Sequence, residues 1–106
     1  VSTIVAESKL QDEEIFFSTD FLSRCAVGEN CVTVATTVQV FTGVDANPAA
    51  ILSGAPTITN NVAQQKIVGG VPGVVYLLTF AARSSVNAVY LNQMKIAVLT
   101  SPALNP

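Results

Sequence analysis

The sequence predicts an all-β fold, an antiparallel β-sandwich of about seven short strands. Three observations lead there. Cys31 to Phe41 alternates strictly, with Val32, Val34, Thr36, Val38 and Val40 against Cys31, Thr33, Ala35, Thr37 and Gln39; period two in β-branched residues marks a half-buried strand. Clusters of Gly, Pro and Asn punctuate the chain at Gly28-Glu29-Asn30, Gly54-Ala55-Pro56, Asn60-Asn61 and Gly69 to Gly73, and such clusters turn the backbone. No segment sustains a helical period, and several short strands separated by turn signals build a sandwich.

Taken in order, residues 1–13 read as an N-terminal arm or a short first strand, with weak alternation of Thr3 and Val5 against Ile4 and Ala6. Lys9 to Glu14 is polar and acidic and reads as a connection. Residues 14–99 read as the sandwich and residues 100–106, with two prolines, as a C-terminal tail. Ile15 to Leu22 places Ile15, Phe17, Thr19 and Phe21 on one parity, an inward face. Ser23 to Asn30 is a loop. After the alternating strand, Thr42 to Pro48 is a loop, Ala49 to Ser53 a short strand, and Thr57 to Thr59 a brief pairing segment. Val62 to Val68 is weakly apolar and reads as an edge strand, guarded by Lys66. Ala88 to Leu99 forms the last strand.

Val74 to Arg83 organises the rest. Tyr76, Leu78, Phe80 and Ala82 share one face and Val75, Leu77, Thr79 and Ala81 the other. Both faces are mostly apolar, which predicts a central strand covered on both sides. In sandwiches of the immunoglobulin type a tyrosine near the start of strand F bonds back to the backbone at a corner. Tyr76 stands at that place behind the corner glycines Gly69 and Gly73, so these three residues are the expected determinants of the fold. The alternative is a tyrosine at a strand start with its hydroxyl in water.

Half of the 106 residues are apolar and only 11% are charged, against about 25% in ordinary domains. So few charges leave a neutral or apolar exterior, which suits burial against partners. The net charge of −2 argues against nucleic acid as a partner. Six of the seven acids (Glu7, Asp12, Glu13, Glu14, Asp20, Glu29) fall in the first 29 residues, and beyond Asp45 only Lys66, Arg83 and Lys95 are charged. This is either chance in a charge-poor chain or an acidic end that meets the basic end of the next copy. Val1 to Leu10 is too polar for the core of a signal peptide, and the longest apolar run is far below the ~20 residues of a membrane-spanning helix, so no membrane association is expected.

The chain has no histidine, which removes histidine-based catalysis and the usual zinc sites. Gly69, Gly70 and Gly73 lack the lysine and helix of a phosphate loop. Asp12, Glu13 and Glu14 are adjacent carboxylates in a polar connection, and solvation explains them. No catalytic residue, metal ligand or cofactor is expected. Cys25 and Cys31 flank the Gly28 turn and close a small disulfide only if their Cα atoms come within ~7 Å; free thiols, an intramolecular bridge and an intermolecular bridge stay open. By parity Cys31 faces away from the side of Val32.

Read in order, Ile15 to Leu22 (IFFSTDFL), Gly28 to Val32 (GENCV), Ser53 to Ile58 (SGAPTI) and Ile67 to Phe80 (IVGGVPGVVYLLTF) resemble the small Ig-like structural proteins of tailed bacteriophages, the fiber-tail adaptor or neck-region proteins. The likeness spans roughly Glu14 to Leu99 and is most specific over Gly69 to Thr79. The sequence departs from that pattern in having Phe21 where tryptophan is common and Asn87 where glycine is expected; asparagine tolerates a left-handed backbone. The resemblance implies an Ig-like β-sandwich and a non-enzymatic virion subunit, assembled in the host cytoplasm. It further implies contacts with copies of itself in a ring or lattice and with other virion proteins of the neck, tail or fiber. The pliable ends, Val1 to Asp12 and Thr100 to Pro106, are expected to make such contacts. A capsid decoration protein is the alternative within the same fold. A carbohydrate- or adhesin-type binding module is a third reading; it wants exposed aromatics on a sheet face, and Phe16 and Tyr90 are its candidates.

Overall fold

The computed structural model describes residues 5–100. Seven strands form: β1 (Val5–Leu10), β2 (Ile15–Asp20), β3 (Cys31–Thr42), β4 (Leu52–Thr59), β5 (Val62–Ile67), β6 (Val75–Ser84) and β7 (Val89–Leu99). Two 3-10 turns, Leu22–Arg24 and Pro48–Ile51, lie in the connections. One sheet has the order β1-β7-β6-β3 and the other β2-β5-β4. This is the immunoglobulin arrangement: β2, β5 and β4 occupy the B, E and D places, and β3, β6 and β7 the C, F and G places.

Alternation builds the core between the sheets. Tyr76, Leu78, Phe80 and Ala82 of β6 are wholly buried, as are Ile96 of β7 and Ala63 and Ile67 of β5. Phe21, just past β2, is buried too. Each large apolar side chain removed from water contributes about 1.5–3 kcal/mol, so this shared layer dominates the stability of the fold. Gln65 is the polar exception. It is 1% exposed, but its amide donates to the carbonyls of Ser53, Gly54 and Lys66 and its Oε1 accepts from the Thr36 hydroxyl. With these bonds made, its burial costs little.

Several expectations from the sequence are corrected by the long-range pairing. The sheets are not wholly antiparallel: β1 runs parallel to β7, from Val5 opposite Met94 to Leu10 opposite Leu99. The segment expected to be arm or first strand is therefore a strand from Val5 onward, and the sandwich starts before residue 14. The Val62 segment is not an edge. β5 lies between β2 and β4, because its other parity, Ala63, Gln65 and Ile67, packs inward. Lys66 instead pairs with Glu14, 3.4 Å away at the surface. Ala49 to Ile51 is part of a 3-10 turn, not a strand; Pro48 at its start favours the turn, and β4 runs on through Gly54-Ala55-Pro56 with a break in register between Ser53 and Thr57.

β6 is central, bonded to both β3 and β7, but among the described residues no layer covers its outer side. Leu77 is buried there between the opposing positions Gln39 and Lys95, while Val75, Thr79 and Ala81 stay half-buried. Cys31 also faces inward. The register of β3 shifts between Cys31 and Thr33, so Val32 bulges out and parity reverses; Val32 is 54% exposed and Cys31 6%. Val1 to Ile4 and the tail from Ser101 lie outside the described residues.

Candidate functional site

Three places merit inspection: the corner before β6, the cysteine loop at the opposite end, and the open face and edge of the four-stranded sheet.

The corner runs from Gly69 through Gly73 to Tyr76, and the glycine closest to the Tyr76 ring is Gly70, where an added Cβ would lie 3.5 Å from Tyr76 Cε2. Gly69 has φ 59° and Gly73 φ 90°, left-handed values that favour glycine. Val74 N–H donates to Val71 O, and Gly73 N–H to Val98 O at 2.9 Å. The Tyr76 ring is wholly buried. Its hydroxyl accepts from Val71 N–H at 2.9 Å and donates to Asp45 Oδ2 at 2.6 Å. A buried phenol thereby meets its need for partners. The Tyr76 hydroxyl, followed by the Asn47 amide, holds the Asp45 carboxyl below the usual range, and burial, then Asp45 itself, pushes the phenol up. Asp45 was not marked from sequence. Its Oδ1 accepts from Asn47 N–H, so Asp-Ala-Asn was readable as an Asx turn, though not its reach to Tyr76.

Lys9 was missed as well. It is 1% exposed, and its Nζ donates to the carbonyls of Leu10, Gln11 and Gly69 at 2.9, 3.1 and 2.7 Å. Burial lowers its pKa, and Glu13, Asp12 and Glu14 act against that. The ammonium ties β1 to the glycine corner. Tyr76, Asp45 and Lys9 thus act as staples between distant segments.

At the other end, the Cys25 and Cys31 sulfurs lie 3.5 Å apart as free thiols. Burial, then the bond to Cys25, pushes the Cys31 thiol up to about 11. Glu29 organises this loop: it accepts from Ala26 N–H at 2.8 Å and from the Tyr90 hydroxyl at 2.9 Å. Asn61 Oδ1 accepts from Cys31 N–H at 2.7 Å, and Arg24 bonds Asn92 Oδ1 at 2.7 Å. Tyr90, a sequence candidate for sugar stacking, therefore packs inward on Glu29, with Arg24 over its ring. Phe16, the other candidate, is 63% exposed on the outer side of β2. The two are not brought to one surface. The charge segregation of the sequence is not kept in space either: Glu14 neighbours Lys66, and Glu29 is buried.

The outer face of the four-stranded sheet is open. Phe41, Val89, Leu91 and Leu99 are exposed there among Thr33, Ala35, Thr37 and Gln39. Lys95 Nζ lies 4.1 Å over the Phe41 ring, a cation–π contact. A shallow depression of about 330 Å³ is lined by Thr33, Ala35, Ala81, Arg83 and Val89. Its lining offers one charged group and no convergent polar set, so it provides area for contact more than machinery for chemistry. Among the described residues no three His, Cys, Asp or Glu side chains gather to hold a metal ion, and no helix is long and apolar enough to cross a membrane.

No family model and no curated protein matches the chain. Among solved structures, it is similar to a nucleoside hydrolase-related hypothetical protein from Saccharophagus degradans that is associated with carbohydrate metabolism. Identity is 16% and the TM-score 0.40, over 90% of this chain and 22% of that one. This chain thus spans about a fifth of that protein's length, and the likeness is too slight to carry an argument about function.

Proposed function

We propose that this protein is a non-enzymatic assembly subunit of a tailed-phage virion, linking or reinforcing the neck or tail region through protein–protein contacts. The observation that supports assembly is the apolar exterior. Twelve large apolar side chains are exposed among the described residues, and four of them lie on the outer face of the four-stranded sheet. Exposed apolar area of this kind suits contact with other proteins. The virion setting rests on the sequence resemblance of Gly69 to Thr79 and the motifs around it. Copies in a ring or lattice, and neighbouring neck, tail or fiber proteins, are the partners this reading names. Gold-labelled antibody against the protein tests it on purified particles. Label at the head–tail junction or along the tail is the expected result. Label spread evenly over the capsid would replace the adaptor role with decoration, and unlabelled particles would overturn both.

A further inference from the structure

The four sheet edges differ in how they are guarded. β1 is six residues long and carries Glu7 and the inward Lys9. β2 is also six residues long, with Asp20 at its end and Glu14 just before it. β4 holds Pro56 and Gly54, with a register break beside them. Charge, proline and irregularity are the devices that stop edge strands from pairing with other chains. β3 has none of them in its interior. It runs for twelve residues, CVTVATTVQVFT, without a charge, a proline or a glycine. Its register irregularities sit only at the two ends, leaving Thr33 to Val40 regular against β6. Among the described residues its only strand partner is β6. Past Cys31, whose amide is taken by Asn61, the side of β3 away from β6 makes no further backbone hydrogen bond among the described residues, while β4 and the 3-10 turn Pro48–Ile51 pack close to the strand.

We infer that this β3 edge pairs antiparallel with β3 of a second copy, joining two four-stranded sheets into one across a two-fold axis. The inference rests on the assembly reading and names its surface. A second copy is the occupant because the strand complements itself. In an antiparallel pair, opposed residues share a face. A two-fold axis at Thr37 sets Val34 opposite Val40 and Thr36 opposite Val38 on the core side. On the outer side it sets Ala35 opposite Gln39 and Thr37 opposite Thr37. No like charges meet in this register, and threonine pairs and β-branched pairs favour such ladders. Seven paired residues at about 3.4 Å each span roughly 24 Å; across a sandwich rim roughly 20 Å deep this covers about 500 Å² per partner, near 1,000 Å² in total and at the low end of specific interfaces. A contact of this size suits a weak, reversible dimer.

Sedimentation velocity of the full chain, from about 1 μM to 1 mM, tests this. Thr37 is exposed on the outer face, so Thr37→Lys keeps the fold while placing two ammonium groups opposite one another at the axis. The expected result is a concentration-dependent dimer for the wild type and for Thr37→Ser, weakened roughly tenfold or more in Thr37→Lys with unchanged circular dichroism. Hydrogen exchange of the wild type provides a check without a variant: exchange over Val34 to Val40 should slow as concentration rises. A wild type that stays monomeric throughout, exchange in β3 that ignores concentration, or a folded Thr37→Lys that dimerises as tightly would each overturn the inference. The virion reading fails separately, through absence from particles, and leaves the dimer standing.

Discussion

Replacing Tyr76 with phenylalanine isolates one atom of the fold. The ring stays, so the packing against the core is kept, and only the hydroxyl is lost. That hydroxyl accepts from Val71 N–H and donates to Asp45 Oδ2 from a wholly buried side chain. A lost hydrogen bond in such a place, one of its partners being charged, costs about 1.5–3 kcal/mol. In a domain of this size each kcal/mol moves Tm by about 4–8 °C, so Tyr76→Phe should melt roughly 6–24 °C lower, with an unchanged urea m-value. pH provides a second axis. The folded Asp45 carboxyl lies below its usual range, so its contribution is present above the unfolded pKa and is lost as pH falls through the folded one. The gap between wild type and Tyr76→Phe should therefore narrow below about pH 4. A variant within about 0.5 kcal/mol of wild type, or a gap that is indifferent to acid, would refute the corner as a staple.

Other substitutions separate the remaining parts of the account. Gly70 has φ 100°, and a Cβ there would lie 2.8 Å from Val98 Cγ2, so Gly70→Ala should cost about 2–4 kcal/mol from strain plus overpacking. Gly69→Ala meets nothing within 4 Å and should cost only the left-handed strain of about 1–2 kcal/mol; urea titration of the pair should rank them so. Lys9→Met should destabilise the fold by about 2 kcal/mol, since three carbonyls lose a charged donor, with hydrogen exchange rising first in β1. Cys31 should resist alkylation at neutral pH in the native protein and react once unfolded, because its thiol is buried and its pKa raised. Mild oxidation should join Cys25 to Cys31 within one chain, read by mass spectrometry as the loss of two hydrogens.

Local pattern carried much of this fold. The parity of β6 and β7 follows directly from the sequence, because a buried face needs apolar residues at every second position. The glycines before Tyr76 marked the corner for the same local reason. Edges were not legible. A half-buried period-two strand reads alike at the centre or the rim of a sheet, so β5, read as an edge, lies at the centre of its sheet, and nothing in the pattern of β3 marked it as an edge. The bulge at Val32 carries no glycine to announce it, and it turned Cys31 into the core. The partners of Tyr76, Lys9 and Gln65 that tie distant segments together, Asp45, Gly69, Thr36, Ser53 and Gly54, lie 11 to 60 residues away, beyond any local signal. What remained readable of function was the scarcity of charge, which leaves apolar side chains on the surface of the folded domain.

The most direct test of the assembly account is the number of copies per purified virion, measured by quantitative mass spectrometry. The account predicts a small fixed number, in keeping with a ring at the neck or tail. A number scaling with the capsid lattice would contradict the adaptor role and favour decoration. Particles without the protein would contradict a virion role altogether.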